Sequence, residues 1–245
     1  MAERSARRVV VLSPHLDDGV LSAWSVLCGP EDAHVVNVCT GLPATDLLSP
    51  WDRLTGATDS RTRMLERRQE DRAALARAGR QATSLEFPEA QYRRGPLDSE
   101  ALLLALERSV DGAAQVWAPA AIGGHDDHLQ IRDAALELLR RGGPQLKLYA
   151  DLPYAVKYGW PGWVSGERDD PHLVVEVWWQ RFLPLDLDLA AERHALSAVN
   201  VQGKLDTLAA YRTQLPGLGG GPLELLQHPG IIGYEVSWSV SAGKT

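Results

Sequence analysis

Only two cysteines, Cys28 and Cys39, occur in the 245 residues. Two thiols cannot build a disulfide framework. Cys28 falls at the end of an expected helix and Cys39 in the apolar strand that follows, so free thiols are expected in place of a bridge. No apolar run approaches the roughly 20 residues that a membrane-spanning helix needs. Basic side chains are in deficit, 25 Lys and Arg against 32 Asp and Glu, for a net charge of −7. That balance argues against nucleic acid as a partner, because phosphate recognition relies on clustered cations. Two phosphate-binding signatures are missing as well: no Gly-x-Gly-x-x-Gly follows the first strand, and there is no Walker-type loop. Dinucleotide-dependent hydride transfer is therefore disfavoured. No internal repeat or low-complexity tract is found. The first eight residues are basic, but only a four-residue aliphatic run follows, too short for a signal-peptide core. The expectation is a cytoplasmic enzyme with a frayed start.

What is present fits a globular α/β protein. A hydrophobic fraction of 44% with 23% charged residues is ordinary for a soluble domain, and the length suits one large α/β unit. Val9-Val10-Val11-Leu12 is a continuous aliphatic run of the kind buried on both faces of a parallel sheet. It stops at Ser13-Pro14-His15-Leu16-Asp17-Asp18, after which residues 19–27 have helical spacing. Ligands of open α/β sheets bind in the crevice at the carboxyl ends of the strands, so His15, Asp17 and Asp18 are expected at its edge. His15 and Asp18, three residues apart, can turn toward one point while Asp17 points elsewhere. Imidazole and carboxylate both suit zinc, and a catalytic zinc usually takes three protein ligands, which requires one more from far along the chain. Alternatively, the two carboxylates could simply cap the helix that follows.

A second loop repeats the arrangement. An apolar strand at 115–119 runs into Gly123-Gly124-His125-Asp126-Asp127-His128 and then a helix at 129–139. Three of the seven histidines thus lie in two loops at the same expected sheet edge. Further strands are expected at 33–39, 83–87 and 146–150, with helices at 59–79 and 97–110. This alternation predicts a Rossmann-like, mostly parallel sheet with helices on both faces in a single domain. Residues 1–150 form its βαβ core and residues 151–245 an aromatic-rich region with a C-terminal helix and strand.

These segments resemble the PIG-L-type (LmbE-like) zinc-dependent N-deacetylases, whose first strand ends in His-Pro-Asp-Asp-Glu and whose later loop carries His-Pro-Asp-His. The matching residues here are 15–19 and 125–128, with Leu16, Gly19 and Asp126 in place of the usual proline, glutamate and proline. The resemblance implies Zn2+ held by His15, Asp18 and His128, with Asp17 as general base. It also implies His125 as transition-state stabiliser and Asp127 as a partner that orients a histidine. An Arg-x-x-Glu matches Arg67-Arg68-Gln69-Glu70, with Arg67 near substrate, although a solvated helix face with an ion pair would look the same. Lys204 to Gln214 is similar to the family's late helix ending in Tyr-x-Ser-Gln, with Thr213 replacing serine. The implied activity is removal of an acetyl group from an amino sugar or amino-sugar-containing small metabolite. A zinc amidase acting on a larger amide such as a thiol conjugate, or a non-catalytic carbohydrate-binding protein, are the alternatives. High Ala, Arg and Gly content suits a GC-rich genome, and free-standing members of the family often serve secondary-metabolite or thiol pathways.

Seven aromatic residues, Tyr149, Tyr154, Tyr158, Trp160, Trp163, Trp178 and Trp179, crowd the region from 149 to 179. Tyr154 and Trp160 are candidate substrate contacts, since aromatic faces stack on sugar rings; a satellite core is the other reading. The stretch 42–59 lacks period and could be a lid or a surface excursion. Residues 174–178 have strand character, 189–215 are expected to be mainly helical, and 231–240 alternate as a closing strand.

Overall fold

The computed structural model describes residues 7–168, 171–184, 186–215 and 228–241, so the expectation for the first six residues lies outside the described residues. Arg8–Ser13 forms β1, whose Val10, Val11 and Leu12 have no exposed surface. Fully burying such side chains is worth about 1.5–3 kcal/mol each, which draws this run to the middle of the sheet. The chain then steps outward in one direction through β2 (Asp32–Asn37) and β3 (Ala82–Ser84). It returns to the other side of β1 for β4 (Gln115–Pro119) and β5 (Gln145–Tyr149). These five strands are parallel, and β7 (Tyr234–Ser241) and β6 (Asp188–Ala195) extend the sheet antiparallel in the order β3-β2-β1-β4-β5-β7-β6. The direction of progression reverses between β1 and β4, which pair directly with Val11 opposite Trp117. A right-handed crossover on each side of that switch puts the connecting helices on opposite faces. The helices accordingly fall into two packed groups: α1 (Asp18–Ser22), α4 (Ser60–Arg77) and α9 (Ala198–Leu208) in one, α5 (Ser99–Ser109) and α6 (Asp126–Arg140) in the other. No helix among the described residues is long and apolar enough to cross a membrane.

Local signals account for most boundaries. Asp59 caps α4 by accepting from Thr62 N, and Gly79 follows its end with φ +66°. Both cysteines are free thiols.

Four expectations need correction. The helix expected at 19–27 breaks at Ala23 into α1 and α2 (Trp24–Leu27). The buried Glu235 carboxylate fills the break, accepting from Trp24 N and Ser25 N at 2.8 Å each while pairing with Lys204 Nζ at 2.7 Å. Beyond the short α7 (Gly162–Ser165), residues 175–180 form a helix, α8 (Val175–Gln180), where a strand was expected. Val175 and Trp179, four apart, are both buried, and Trp179 meets Trp160 and Trp238 edge-on at 5.9 and 5.4 Å. Packing at helical spacing overrides the strand preference of valine and tryptophan. Residues 189–195, in a stretch expected to be mainly helical, belong to β6, because the free edge of β7 supplies a complete antiparallel partner. Its mostly exposed side chains, the charged Asp188, Glu192 and Arg193 among them, mark an edge strand. Finally, the 42–59 stretch carries α3 (Pro50–Leu54), with Ser49 accepting from Asp52 N and a proline in its first turn. That pairing of N-cap serine and proline is a helix-start signal that periodicity misses in so short an element.

Candidate active site

The loops after β1 and β4 are neighbours because the strands are neighbours, and this brings His15 and His128, 113 residues apart in the chain, to one point. Ser13 shapes the first loop: its Oγ accepts from Gly19 N at 2.8 Å and donates to the His15 carbonyl. In the second loop Gly123 has φ +96°, and a Cβ there would lie 2.8 Å from Tyr154 Cβ, so glycine is required both by conformation and by the close approach of Tyr154. Helix α6 begins three residues earlier than expected, with His125 as its N-cap and Asp126, Asp127 and His128 in its first turn.

Three atoms close a small triangle. His15 Nδ1 and His128 Nε2 each lie 3.2 Å from Asp18 Oδ2 and 3.3 Å from each other. Donors about 2.0–2.1 Å from a tetrahedral zinc are separated by roughly 3.4 Å. The triangle and its N, N, O donor set therefore fit that ion. A set of His15, His125 and His128 is looser, its ligand atoms falling within 4.8 Å of one another.

Both histidines of the triangle are held from behind by a carboxylate. Asp127 Oδ2 lies 2.9 Å from His15 Nε2 and also accepts from Ala90 N, while Arg93 pairs with its other oxygen. Asp151, fully buried, lies 2.7 Å from His128 Nδ1 and accepts from Ile122 N. Such partners fix ring orientation and raise ligand basicity. Burial alone would lower the pKa of His128, but Asp18 and Asp151 raise it to about 9. For Asp18, burial works upward and is outweighed by His128 and His15, which hold the carboxyl well below its usual range.

Asp17 lines the cavity, and its carboxylate takes its hydrogen bond from its own backbone N–H. Burial, with Asp18 beside it, pushes its carboxyl up to about 6. His125 is pushed down to about 4, by burial and then by His15 and His128, so its imidazole is neutral at pH 7. Its Nδ1 accepts from Asp127 N at 3.2 Å; the hydrogen bond assigns the ring proton to Nε2, leaving a neutral donor on the cavity side.

The cavity has a volume of about 290 Å³ and is walled by the two loops together with Leu21, Trp51, Arg67, Glu89, Gln91, Pro153, Tyr154 and Gln214. Arg67 and Glu89 are both buried, with Arg67 Nη1 2.6 Å from Glu89 Oε1. Glu70, the other half of the Arg-x-x-Glu, turns away and accepts from Thr213 N and Oγ1, tying α4 to the segment after α9. Tyr211 reinforces that contact through Asp71 at 2.9 Å. Of the candidate residues, His15, Asp17, Asp18, His125, Asp127, Arg67 and Tyr154 line the cavity and His128 sits behind it. Trp160 does not. It is 7% exposed, donates to the Ile231 carbonyl and packs on Trp179, so it belongs to the core. Tyr149 and Trp179 are core as well.

Sequence reasoning missed Asp151, Glu89, Trp51 and Gln91, and reached Gln214 only as the end of a family-like helix motif. Asp151 had a readable signal, a lone carboxylate two residues beyond a buried strand at the ligand-binding edge. Glu89, Trp51 and Gln91 come from irregular or short segments with no pattern to mark them.

No protein-family model matches the chain. The chain is 32% identical over 179 residues to 2'-N-acetylparomamine deacetylase from Streptomyces fradiae; the match covers 63% of this chain and 61% of that protein. Among solved structures, the A40926 pseudoaglycone deacetylase superposes with a TM-score of 0.74 at 27% identity, covering 98% of this chain and 100% of that one. A deacetylase of the teicoplanin biosynthetic pathway gives 0.75 at 27% identity over 97% of this chain and 99% of that one.

Proposed function

We propose that the chain is a PIG-L-type (LmbE-like) deacetylase, a zinc-dependent hydrolase releasing acetate from an N-acetylated amino sugar. The observation that carries this reading is the triangle of His15 Nδ1, Asp18 Oδ2 and His128 Nε2 at 3.2–3.3 Å, with the side chain of Asp17 outside it in the cavity wall. Support also comes from the deacetylases to which the chain is similar.

His15, Asp18 and His128 would hold the metal. Zinc bound there supplies Lewis acidity, lowering the pKa of a water and drawing electron density from an amide carbonyl. Asp17 takes the proton from the attacking water, as a general base on the cavity side of the loop. His125, donating from neutral Nε2–H, stabilises the carbonyl oxygen as it gains negative charge; one such donor in a dry site is worth about 3–4 kcal/mol. The proton on Asp17 then passes to the departing nitrogen as the C–N bond breaks, since an amine anion is too basic to leave. Asp127 and Asp151 hold the two histidine rings, and Tyr154 and Arg67 contact the substrate.

Purified protein loaded with zinc and incubated with N-acetylated amino sugars tests the reading, with acetate and free amine measured together. The expected result is equimolar production of both, abolished by chelation and restored by zinc. A chelated enzyme that works at the original rate would overturn it.

A further inference from the structure

The cavity wall has an unusual balance of charge. Four carboxylates line it, Asp17, Asp18, Glu89 and Asp127, against one permanent cation, Arg67. That cation is not free for a substrate anion, because Glu89 faces it at 2.6 Å. A divalent ion in the loop triangle offsets two of the negative charges, and Arg93 behind Asp127 offsets a third, which leaves the site without a positive surplus. The remaining polar walls are neutral: the Trp51 indole, the Gln91 and Gln214 amides and the Tyr154 phenol.

The Arg67–Glu89 pair is also incompletely satisfied. Arg67 and Glu89 are 3% and 2% exposed, yet Arg67 Nη1 and Glu89 Oε1 face each other out of hydrogen-bond alignment and Arg67 Nε has no hydrogen-bond partner, while Glu89 Oε2 accepts from Gln91. Buried polar atoms are nearly always hydrogen-bonded, so unsatisfied ones in a cavity wall mark where a ligand completes the network. The donors suit a hydroxyl oxygen. The Glu89 acceptor suits a hydroxyl or an ammonium.

Resting on the deacetylase reading, we infer that Glu89 makes this cavity selective for charge: it admits uncharged or ammonium-bearing N-acetyl amino sugars and rejects those carrying phosphate or carboxylate. A substrate anion would have to displace Glu89 from Arg67 or lie among like charges, and either route weakens binding. The cavity is at the small end for ligand sites, so it takes one sugar ring and its acetamide, and the charge on that ring is what the walls sense.

The test compares three substrates of the zinc-loaded enzyme: methyl N-acetylglucosaminide, N-acetylglucosamine 6-phosphate, and chitobiose acetylated on one of its two amines. The kcat/KM for the phosphate is expected to be at least about tenfold below the other two, a gap of one like-charge contact. Glu89→Gln should narrow the gap by freeing Arg67, and raising the salt should narrow it in the wild type, since screening weakens repulsion. Calorimetric titration with glucosamine and glucosamine 6-phosphate reads the same preference without turnover. Equal or better kcat/KM for the phosphate at low salt, or a ratio that neither Glu89→Gln nor salt moves, would overturn the inference. If no substrate yields acetate, the deacetylase reading fails, and the calorimetric ranking decides the charge selectivity alone.

Discussion

Asp17 and Asp18 are adjacent in sequence and have opposite surroundings. Asp18 lies between two imidazoles, whereas the Asp17 carboxylate takes its hydrogen bond from its own backbone. Asp17→Asn is expected to keep its zinc and lose activity about 10²–10⁴-fold, the span of a general-base contribution; metal analysis beside an acetate assay checks both halves. Asp151 should affect the metal in the opposite manner. Its replacement by Ala, read by competition with a chromogenic chelator, is expected to weaken zinc binding about 10–100-fold through loss of the brace on His128. Asp151→Asn, which still offers an acceptor, should recover part of that loss. Zinc affinity unchanged in Asp151→Ala would remove the bracing role. The histidines and carboxylates of the two loops were legible because rare residue types recur where apolar runs end. Glu89 and Gln91 were not, since single polar residues in irregular segments look alike until a cavity wall selects them.

The segments read correctly are those whose buried face repeats along the chain, as in β1, β4, α5 and α6. Those misread owe their form to a distant partner. β6 takes its shape from the edge of β7, and the break between α1 and α2 exists because Glu235, more than two hundred residues away, accepts two backbone N–H groups there. Neither cause leaves a local trace. Glu235 and Lys204 are both fully buried, so removing one partner leaves an uncompensated charge in the interior. Glu235→Ala is expected to destabilise the protein by about 3–5 kcal/mol by that route, measured by denaturant unfolding. A loss below about 1 kcal/mol would show that the break in the helix does not depend on the carboxylate.

Over the whole molecule, the sheet reverses its progression beside β1, and this reversal alone carries the two loops into contact. The layers of helix that enclose it also bury groups away from the site. Burial pushes the Asp71 carboxyl up to about 7, despite its hydrogen bonds to Tyr211 and Asn37. In the unfolded chain the same group titrates near 4, so between about pH 4 and 7 the folded state binds the extra proton. By linkage, this group's contribution to stability declines as pH rises through that window. Asp71→Asn should therefore flatten the pH dependence of the unfolding midpoint between pH 4 and 7, and an unaltered profile would contradict the assignment. For the central claim, that two distant loops hold one zinc ion for hydrolysis, the most direct measurement is the anomalous scattering of zinc in crystals of the loaded protein. The expected result is one ion bonded to His15 Nδ1, Asp18 Oδ2 and His128 Nε2, with the Asp17 carboxylate nearby and unbonded. An ion bound elsewhere, or ligated by Asp17, would contradict it.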